Sequence, residues 1–384
     1  LCFRDLETRA GWELKLQDYL YVKDDATLAQ LVAQYRDAEL LVLDTEFVRT
    51  RTYYACLGLI QAYDGKTLAL IDPLAISDLS GFWALLTDEK ITKLLHSCSE
   101  DLEVFARQGQ CQPKPLFDSQ LAAAIAGMGH GLGYAKLVHE CLGVELDKGE
   151  SRTDWLKRPL SEAQLSYAAN DVYYLYQLYP QLQQKLQQQG RIEWALEESR
   201  RMTEGRLDPP DEDTAYLRVK NAFQLSTPQL AVLKVLAAWR LRKALAKDMA
   251  LGFVMKDHAL IGLAKRQPRG INDVLAMKEL TDHEKRLYAK DVLKVMAKAD
   301  MSNLPEPLDV LALKPGYKSA FKTIKQCLSE VAESESVPME LLGSKRHIHE
   351  YLEWVWDGKQ GASPLVLQGW RGQLVADKLA KLPL

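Results

Sequence analysis

The sequence predicts an α/β domain built on a mixed sheet, followed by two small all-α helical bundle domains. Three observations predict it. Short apolar runs alternate with helical stretches over roughly the first half of the chain, a polar, proline-containing stretch interrupts the pattern at 206–214, and beyond it the periodicity is helical only. At 384 residues, 47% hydrophobic and 26% charged, the chain carries enough apolar material for two or three separate cores.

Residues 1–17 show no sustained period and are read as an extension without a function. From Tyr19 a short strand precedes a helix from about Ala26 to Tyr35, and the apolar run Leu40 to Leu43 then leads into Asp44-Thr45-Glu46-Phe47 as a buried central strand. Strands at Leu57 to Tyr63 and Thr67 to Ile71 flank Asp64-Gly65, a pair suited to a tight hairpin, so these three strands are expected to form an antiparallel core. Ile91 to Leu95 supplies another strand, and Ser97 or Ser99 is placed to cap the helix containing Asp101 and Phe105. A long amphipathic helix is predicted from Ser161 to about Gln188, with Ser161 and Gln164 in capping-box spacing and Pro180 as a kink. The boundary lies in Asp208-Pro209-Pro210-Asp211-Glu212-Asp213, which places the domains at 18–205, 223–300 and 301–384, with a linker over 206–222. The two helical segments share an aromatic-basic pair, Trp239-Arg240 and Trp370-Arg371.

The net charge of −3 conceals an uneven distribution. Residues 223–300 hold 15 Lys and Arg against 8 Asp and Glu, an excess of seven that leaves −10 for the remainder. A basic segment attracts phosphates through counterion release, and an acidic one can meet nucleic acid if metal ions cancel its central carboxylates. No apolar run approaches the ~20 residues needed to cross a bilayer, and the first residues lack a secretion leader's layout, so no membrane partner and a cytoplasmic, monomeric protein are expected. The six cysteines contain no C-x-x-C pair, which argues against a zinc site or a disulfide framework. The glycine-rich stretch Gly127 to Gly133 lacks the Lys-Ser/Thr of a triphosphate loop and reads as a connector, and no Gly-x-Ser-x-Gly supports serine hydrolysis.

Five residues carry the chemical signal. Asp44 and Glu46, two apart at the end of an apolar strand, project to one face, and Tyr167 and Asp171, four apart on a helix, share another. Asp101 sits in the first turn of its helix, where an acid ordinarily complements the dipole. Each alone has an ordinary structural explanation. Their order along the chain does not.

The segments Leu43-Asp44-Thr45-Glu46-Phe47, His96-Ser97-Cys98-Ser99-Glu100-Asp101-Leu102 and Tyr167-Ala168-Ala169-Asn170-Asp171-Val172 resemble the three exonuclease motifs of the DEDD nucleases, tyrosine subgroup. The chain is similar in particular to the ribonuclease D family, also at Arg49 to Tyr54, at Leu59-Ile60-Gln61, and from Leu146-Asp147-Lys148 through Arg152-Thr153-Asp154-Trp155 to Arg158-Pro159-Leu160. Past the boundary, Trp239-Arg240, Val254, Leu260, Ala264 and Pro268 resemble the helical domain shared by helicases and ribonuclease D, with a more divergent second copy around Trp370-Arg371.

The resemblance implies a ribonuclease H-like fold and a 3′-5′ exoribonuclease acting on transfer RNA precursors with two divalent ions, Mg²⁺ or Mn²⁺. It implies that Asp44 bridges the two ions, that Glu46 and Asp171 complete the first, that Asp101 holds the second largely through water, and that Tyr167 orients the attacking water. Hard carboxylate oxygens suit such ions. Arg51, Lys148, Arg152 and Arg158 are candidate phosphate contacts. The competing readings are a DNA-directed 3′-5′ exonuclease and a catalytically silent RNA-binding protein, the latter predicting loss of at least one carboxylate.

Overall fold

The computed structural model describes residues 19–146, 149–308 and 310–384. They divide into two compact units. The first comprises the described residues to Val48 together with 56–207 and 318–384, and the second comprises 49–55 and 208–317.

The first unit is built on one six-stranded mixed sheet. Its strands are β1 (Leu20–Val22), β2 (Leu40–Val48), β3 (Cys56–Tyr63), β4 (Leu68–Ile71), β5 (Thr92–Leu95) and β6 (Leu116–Asp118), in the order β1-β4-β3-β2-β5-β6. The expected antiparallel trio is its centre, since β3 pairs antiparallel with both β2 and β4. Parallel partners extend it on both sides, with β1 joining β4, and β5 and β6 following β2. The mixed sheet is the one expected, although periodicity alone did not say which strands pair parallel. The turn at Asp64-Gly65 forms as expected: the Asp64 carboxylate accepts from the amides of Lys66 (2.8 Å) and Thr67 (2.7 Å), while Gly65 takes a φ of +87°. A Cβ there would lie 2.2 Å from the Tyr176 hydroxyl, so glycine is required twice over.

Helices α1 (Asp25–Tyr35), α2 (Ser80–Thr87), α3 (Ser99–Gln108), α4 (Ser119–Ile125), α5 (Tyr134–Leu142), α6 (Glu162–Gln188) and α7 (Ile192–Thr203) complete the domain that carries the acidic residues. The Ser161 and Gln164 capping box at the start of α6 is present, and the helix continues through Pro180 to Gln188 without a break. Neither Ser97 nor Ser99 caps α3; the N-cap position is Cys98, whose amide donates instead to Asp118 at 2.9 Å. Ser97 takes a φ of +55° ahead of that turn, and the Ser99 hydroxyl accepts from Arg206 (2.9 Å). A cap supplied from another strand leaves no mark in the local sequence.

The second unit is helical, with α8 (Thr227–Lys247), α9 (Leu251–Val254), α10 (Asp257–Arg266), α11 (Ile271–Ala276) and α12 (Asp282–Met296) around a core that includes Leu233, Leu236, Leu260, Leu263 and Val292. Its capping boxes at Ser226/Gln229 and Thr281/Glu284 fix where α8 and α12 begin.

Beyond it lie α13 (Tyr317–Ser334), α14 (Met339–Gly343), α15 (Lys345–Trp356) and α16 (Gly369–Ala380). From Lys318 this segment belongs to the same compact unit as the sheet. The attachment is a buried charge pair: Arg371 on α16 donates through both terminal nitrogens to the Glu198 carboxylate on α7, at 2.6 Å for Nη2, and the Trp370 indole donates to the same carboxylate at 2.9 Å. Trp370 also stacks on Trp194 with ring centroids 5.0 Å apart. Replacing Arg371 by Met leaves Glu198 buried without its partner. Loss of one member of such a pair costs about 3–5 kcal/mol, so Arg371→Met lowers the unfolding free energy by that order in denaturant titration, and Glu198→Leu combined with it recovers most of the loss.

Candidate active site

The acidic site is assembled from three elements. β2 lies inside the sheet, hydrogen-bonded to β3 on one side and β5 on the other, and the alternation of side chains along it sends Asp44 and Glu46 to one face. The pairing shifts register between Glu46 and Phe47: Glu46 faces Leu59, whereas Phe47 faces Leu57, so Gly58 is the extra residue of a β-bulge. Bulges bend a strand and re-aim its side chains. Here the bulge also admits a loop, since a Cβ on Gly58 would lie 2.5 Å from the Trp155 carbonyl oxygen.

Helix α6 brings Asp171 to this face, and Asp44, Glu46 and Asp171 each present a carboxylate oxygen within 4.8 Å of the others. Asp101 approaches from α3. It accepts a short hydrogen bond from the Thr45 hydroxyl, the residue between the two β2 acids. α3 is held in turn at its start by Asp118, which accepts from the Cys98 amide while capping α4 through the amides of Gln120 and Leu121 (both 2.9 Å). Arg206, at the end of the domain, adds bonds to the Ser99 carbonyl (2.8 Å) and hydroxyl.

Crowding four carboxylates with little water raises their proton affinities. Burial, then repulsion from Asp101, Asp171 and Glu46, pushes Asp44 well above the ordinary carboxylate range. Burial, with Asp171 and Asp101 beside it, takes Glu46 to about 9, and burial takes Asp171 to about 8. Asp101 is also raised by burial but only to about 6, because the Thr45 hydroxyl stabilises its charged form. Tyr167, one helical turn before Asp171, has its phenol pushed up by burial and by the surrounding acids, so it stays protonated and can donate. Among the described residues no Lys or Arg forms an ion pair with any of the four acids. Hard oxygen donors lacking a cation are the donor set that fits Mg²⁺ or Mn²⁺.

The basic candidates differ in their surroundings. Arg158 is half-buried in a bidentate pair with Asp72 (Nε 2.6 Å, Nη2 2.7 Å), and it also donates to the carbonyls of Gly58 (2.6 Å) and Trp155 (2.8 Å). That network fastens the Trp155 loop to the bulge, so Arg158 acts on the site through the backbone. Arg152 is exposed, and the Thr153 hydroxyl beside it is tied to Gln164 at the start of α6 (3.0 Å). Arg51 lies in the second unit, with its guanidinium 6.0 Å from the Phe253 ring centroid. Lys148 falls outside the described residues. Sequence reading missed Thr45, Gly58, Asp72 and Asp118. Of these, only Asp118 carries a local signal, an Asp immediately before a helical run.

A mixed-sheet domain with this clustered acid set is the architecture of a 3′-5′ exonuclease, and residues 19–187 match the 3′-5′ exonuclease family. Residues 229–296 match the HRDC domain and 315–379 the ribonuclease D C-terminal HRDC domain. The chain is 70% identical to ribonuclease D of Shewanella sp. (strain ANA-3) over 370 residues, covering 96% of this chain and 95% of that protein. It is 43% identical to ribonuclease D of Escherichia coli (strain K12) over 369 residues, covering 95% and 98%. The crystal structure of Escherichia coli RNase D, described as an exoribonuclease involved in structured RNA processing, superposes with a TM-score of 0.89 over 94% of this chain and 97% of that one. The chain belongs to the ribonuclease D family and is an exoribonuclease, with an exonuclease domain on a mixed sheet followed in the sequence by helical HRDC domains. No helix among the described residues is long and apolar enough to cross a membrane.

The raised proton affinities have a thermodynamic consequence. Carboxylates that titrate near pH ~4 when unfolded and at about 6 to 9 when folded favour the folded state most below the lower value. That contribution is lost as pH rises through the higher ones. The melting temperature of the metal-free protein therefore falls between pH 5 and pH 9 more steeply than that of Asp44→Asn. Mg²⁺ binding near pH 7 releases protons, read by calorimetry as a binding heat that varies with the ionisation heat of the buffer. A buffer-independent heat overturns the expectation.

Proposed function

We propose that the chain trims the 3′ ends of transfer RNA precursors by two-metal-ion phosphodiester hydrolysis, releasing 5′-mononucleotides. The observation that carries this reading is the convergence of the Asp44, Glu46 and Asp171 carboxylate oxygens within 4.8 Å, with Asp101 tethered beside them through Thr45. Two bound Mg²⁺ or Mn²⁺ ions supply Lewis acidity for the scissile phosphate and lower the pKa of the attacking water.

The residues of the chain hold and orient. Asp44 feels the charge of Asp101, Asp171 and Glu46 together, and it would be shared by the two ions when they bind. Glu46 and Asp171 would complete the first set of ligands, and Asp101 would serve the second. Tyr167, protonated across the physiological range, donates a hydrogen bond that orients water and takes no proton itself. Arg152 contacts the phosphate backbone from the exposed loop ahead of α6. A structured RNA body with a single-stranded 3′ tail fits an enzyme of this family, since the Escherichia coli relative is described as acting in structured RNA processing. The four acids come from one chain, which supports action as a monomer. The five described cysteines are free, in keeping with a reducing cytoplasm. The helical segments at 223–300 and 301–384 are assigned as the two HRDC domains that follow the exonuclease domain at 18–205 in the sequence.

Asp44→Asn lowers kcat by more than about a thousandfold, whereas Tyr167→Phe lowers it about 10- to 100-fold, in the range of groups that orient a metal site's ligands. Single-turnover hydrolysis of a tailed transfer RNA separates the two; equal, complete loss in both removes the distinction. The same assay with a plain single-stranded RNA and a DNA of equal length reads polarity, product and sugar preference. Equal rates on DNA would replace this reading with a DNA-directed exonuclease. Charge reversal at Arg152 weakens RNA binding and flattens its salt dependence; unchanged affinity and slope remove it from the interface.

A further inference from the structure

A cleft of about 400 Å³ lies wholly within the second unit, inside the roughly 300–1,000 Å³ range in which proteins enclose small ligands. Tyr53 lines it, and Leu241 and Leu251 add apolar surface. Arg218, Arg240 and Lys256 line it as cations, against the carboxylates of Asp211 and Asp257.

The two signs are not equally available. Asp257 accepts from Arg240 Nη1 (2.7 Å) and from the Lys220 amide (3.0 Å). Asp211 accepts from the Asp213 amide (2.9 Å) and the Thr214 hydroxyl (2.6 Å). Arg218 and Lys256 are exposed and form no ion pair among the described residues. Arg240 is 95% buried, counting the 5% of its surface still exposed, and its Nε keeps a hydrogen with no acceptor. Buried donors of this kind ordinarily have partners.

Tyr53 is also held in place. Asp248, with a φ of +44°, accepts from the amides of Tyr53 (3.1 Å) and Tyr54 (3.0 Å) through one oxygen, and the Tyr54 ring meets the Tyr53 ring edge-on at 4.9 Å. The Arg51 carbonyl accepts from the Ala250 amide at 2.8 Å. A positioned aromatic ring beside unpaired guanidinium and ammonium groups recognises a flat base joined to a phosphate.

We propose that this cleft binds one unstacked nucleotide, its base against Tyr53 and its phosphate between Arg218 and Lys256. The proposal rests on the chain acting on RNA, but it concerns a site separate from the four acids. The nucleotide can come from the RNA strand itself or be a free 5′-mononucleotide, the product of the reaction.

The test uses the full chain with metal chelated, so that binding is read without hydrolysis. Three proteins are compared: wild type, Arg218→Glu with Lys256→Glu, and a control of equal charge change, Lys278→Glu with Lys298→Glu, at exposed positions that do not line the cleft. Fluorescence anisotropy reads a short single-stranded RNA, and NMR titration reads AMP. If the cleft holds a nucleotide of the strand, the cleft pair raises the Kd for RNA about tenfold beyond the control pair. If it holds free mononucleotide, the cleft pair abolishes AMP saturation while RNA affinity tracks the control. Tyr53→Ala reproduces either loss and Tyr53→Phe restores it, because the ring is retained. RNA and AMP binding that match the control pair in both assays overturn the proposal, as does Tyr53→Ala binding like wild type. Failure of the catalytic reading shows separately, as absent RNA hydrolysis by metal-loaded wild type.

Discussion

Like charges held close together where water is scarce set the terms for the exonuclease domain. Two carboxylates about 4 Å apart repel by roughly 4 kcal/mol at an effective dielectric of 20, and this site gathers three other acids around Asp44. Left to local preferences, such side chains would splay toward solvent. The sheet and two helices prevent it: β2 is bonded along both edges, α6 is fixed at its start by a two-way cap, and α3 is pinned by Asp118 and Arg206. The stiffness of these elements follows from what they must oppose. Part of the repulsion is relieved by protons in the metal-free protein, and replacing those protons by cations converts the same crowding into affinity.

Elsewhere in the described residues, buried acids meet bases. Asp72 has Arg158 and Glu198 has Arg371. Buried Asp118 and Glu284 are instead satisfied by backbone amides and, for Glu284, the Thr281 hydroxyl, whereas the acidic cluster has no cationic partner among the described residues and its donor set suits a metal cation. The contrast also assigns the two arginines. Arg158 ties the Trp155 loop to the bulge at Gly58, directly beside the register shift that follows Glu46, so this basic residue braces the backbone there.

What could be read from the sequence was local. Asp44 and Glu46 two apart on a strand, Tyr167 and Asp171 one helical turn apart, the Asp64-Gly65 hairpin and the Ser161/Gln164 cap each depend on residues within four positions of one another, and the structure contains each of these local arrangements. What could not be read joins distant segments. Thr45 bonds Asp101 across 56 residues, Asp118 replaces the serines expected to cap α3, and Arg158 finds Asp72 86 residues away. The edge strand β6 was also hidden, since a strand of three residues carries too little pattern to be distinguished from a loop, whereas the equally short β1 was legible ahead of its helix.

The same limit explains why composition misjudges basic residues. Trp239-Arg240 and Trp370-Arg371 are alike in sequence, yet Arg371 is enclosed against Glu198 while Arg240 shares Asp257 with a backbone amide and borders an open cleft. Charge that is neutralised inside the fold cannot release counterions from RNA, so the excess of seven cations over 223–300 overstates what a phosphate meets. The cations that matter for binding are those whose neighbouring acids are already engaged elsewhere. By that criterion Arg218 and Lys256 stand out, although Arg218 lies outside the segment that looked basic, and their distinction comes from Asp211 being hydrogen-bonded within its own loop and Asp257 by Arg240 and the Lys220 amide.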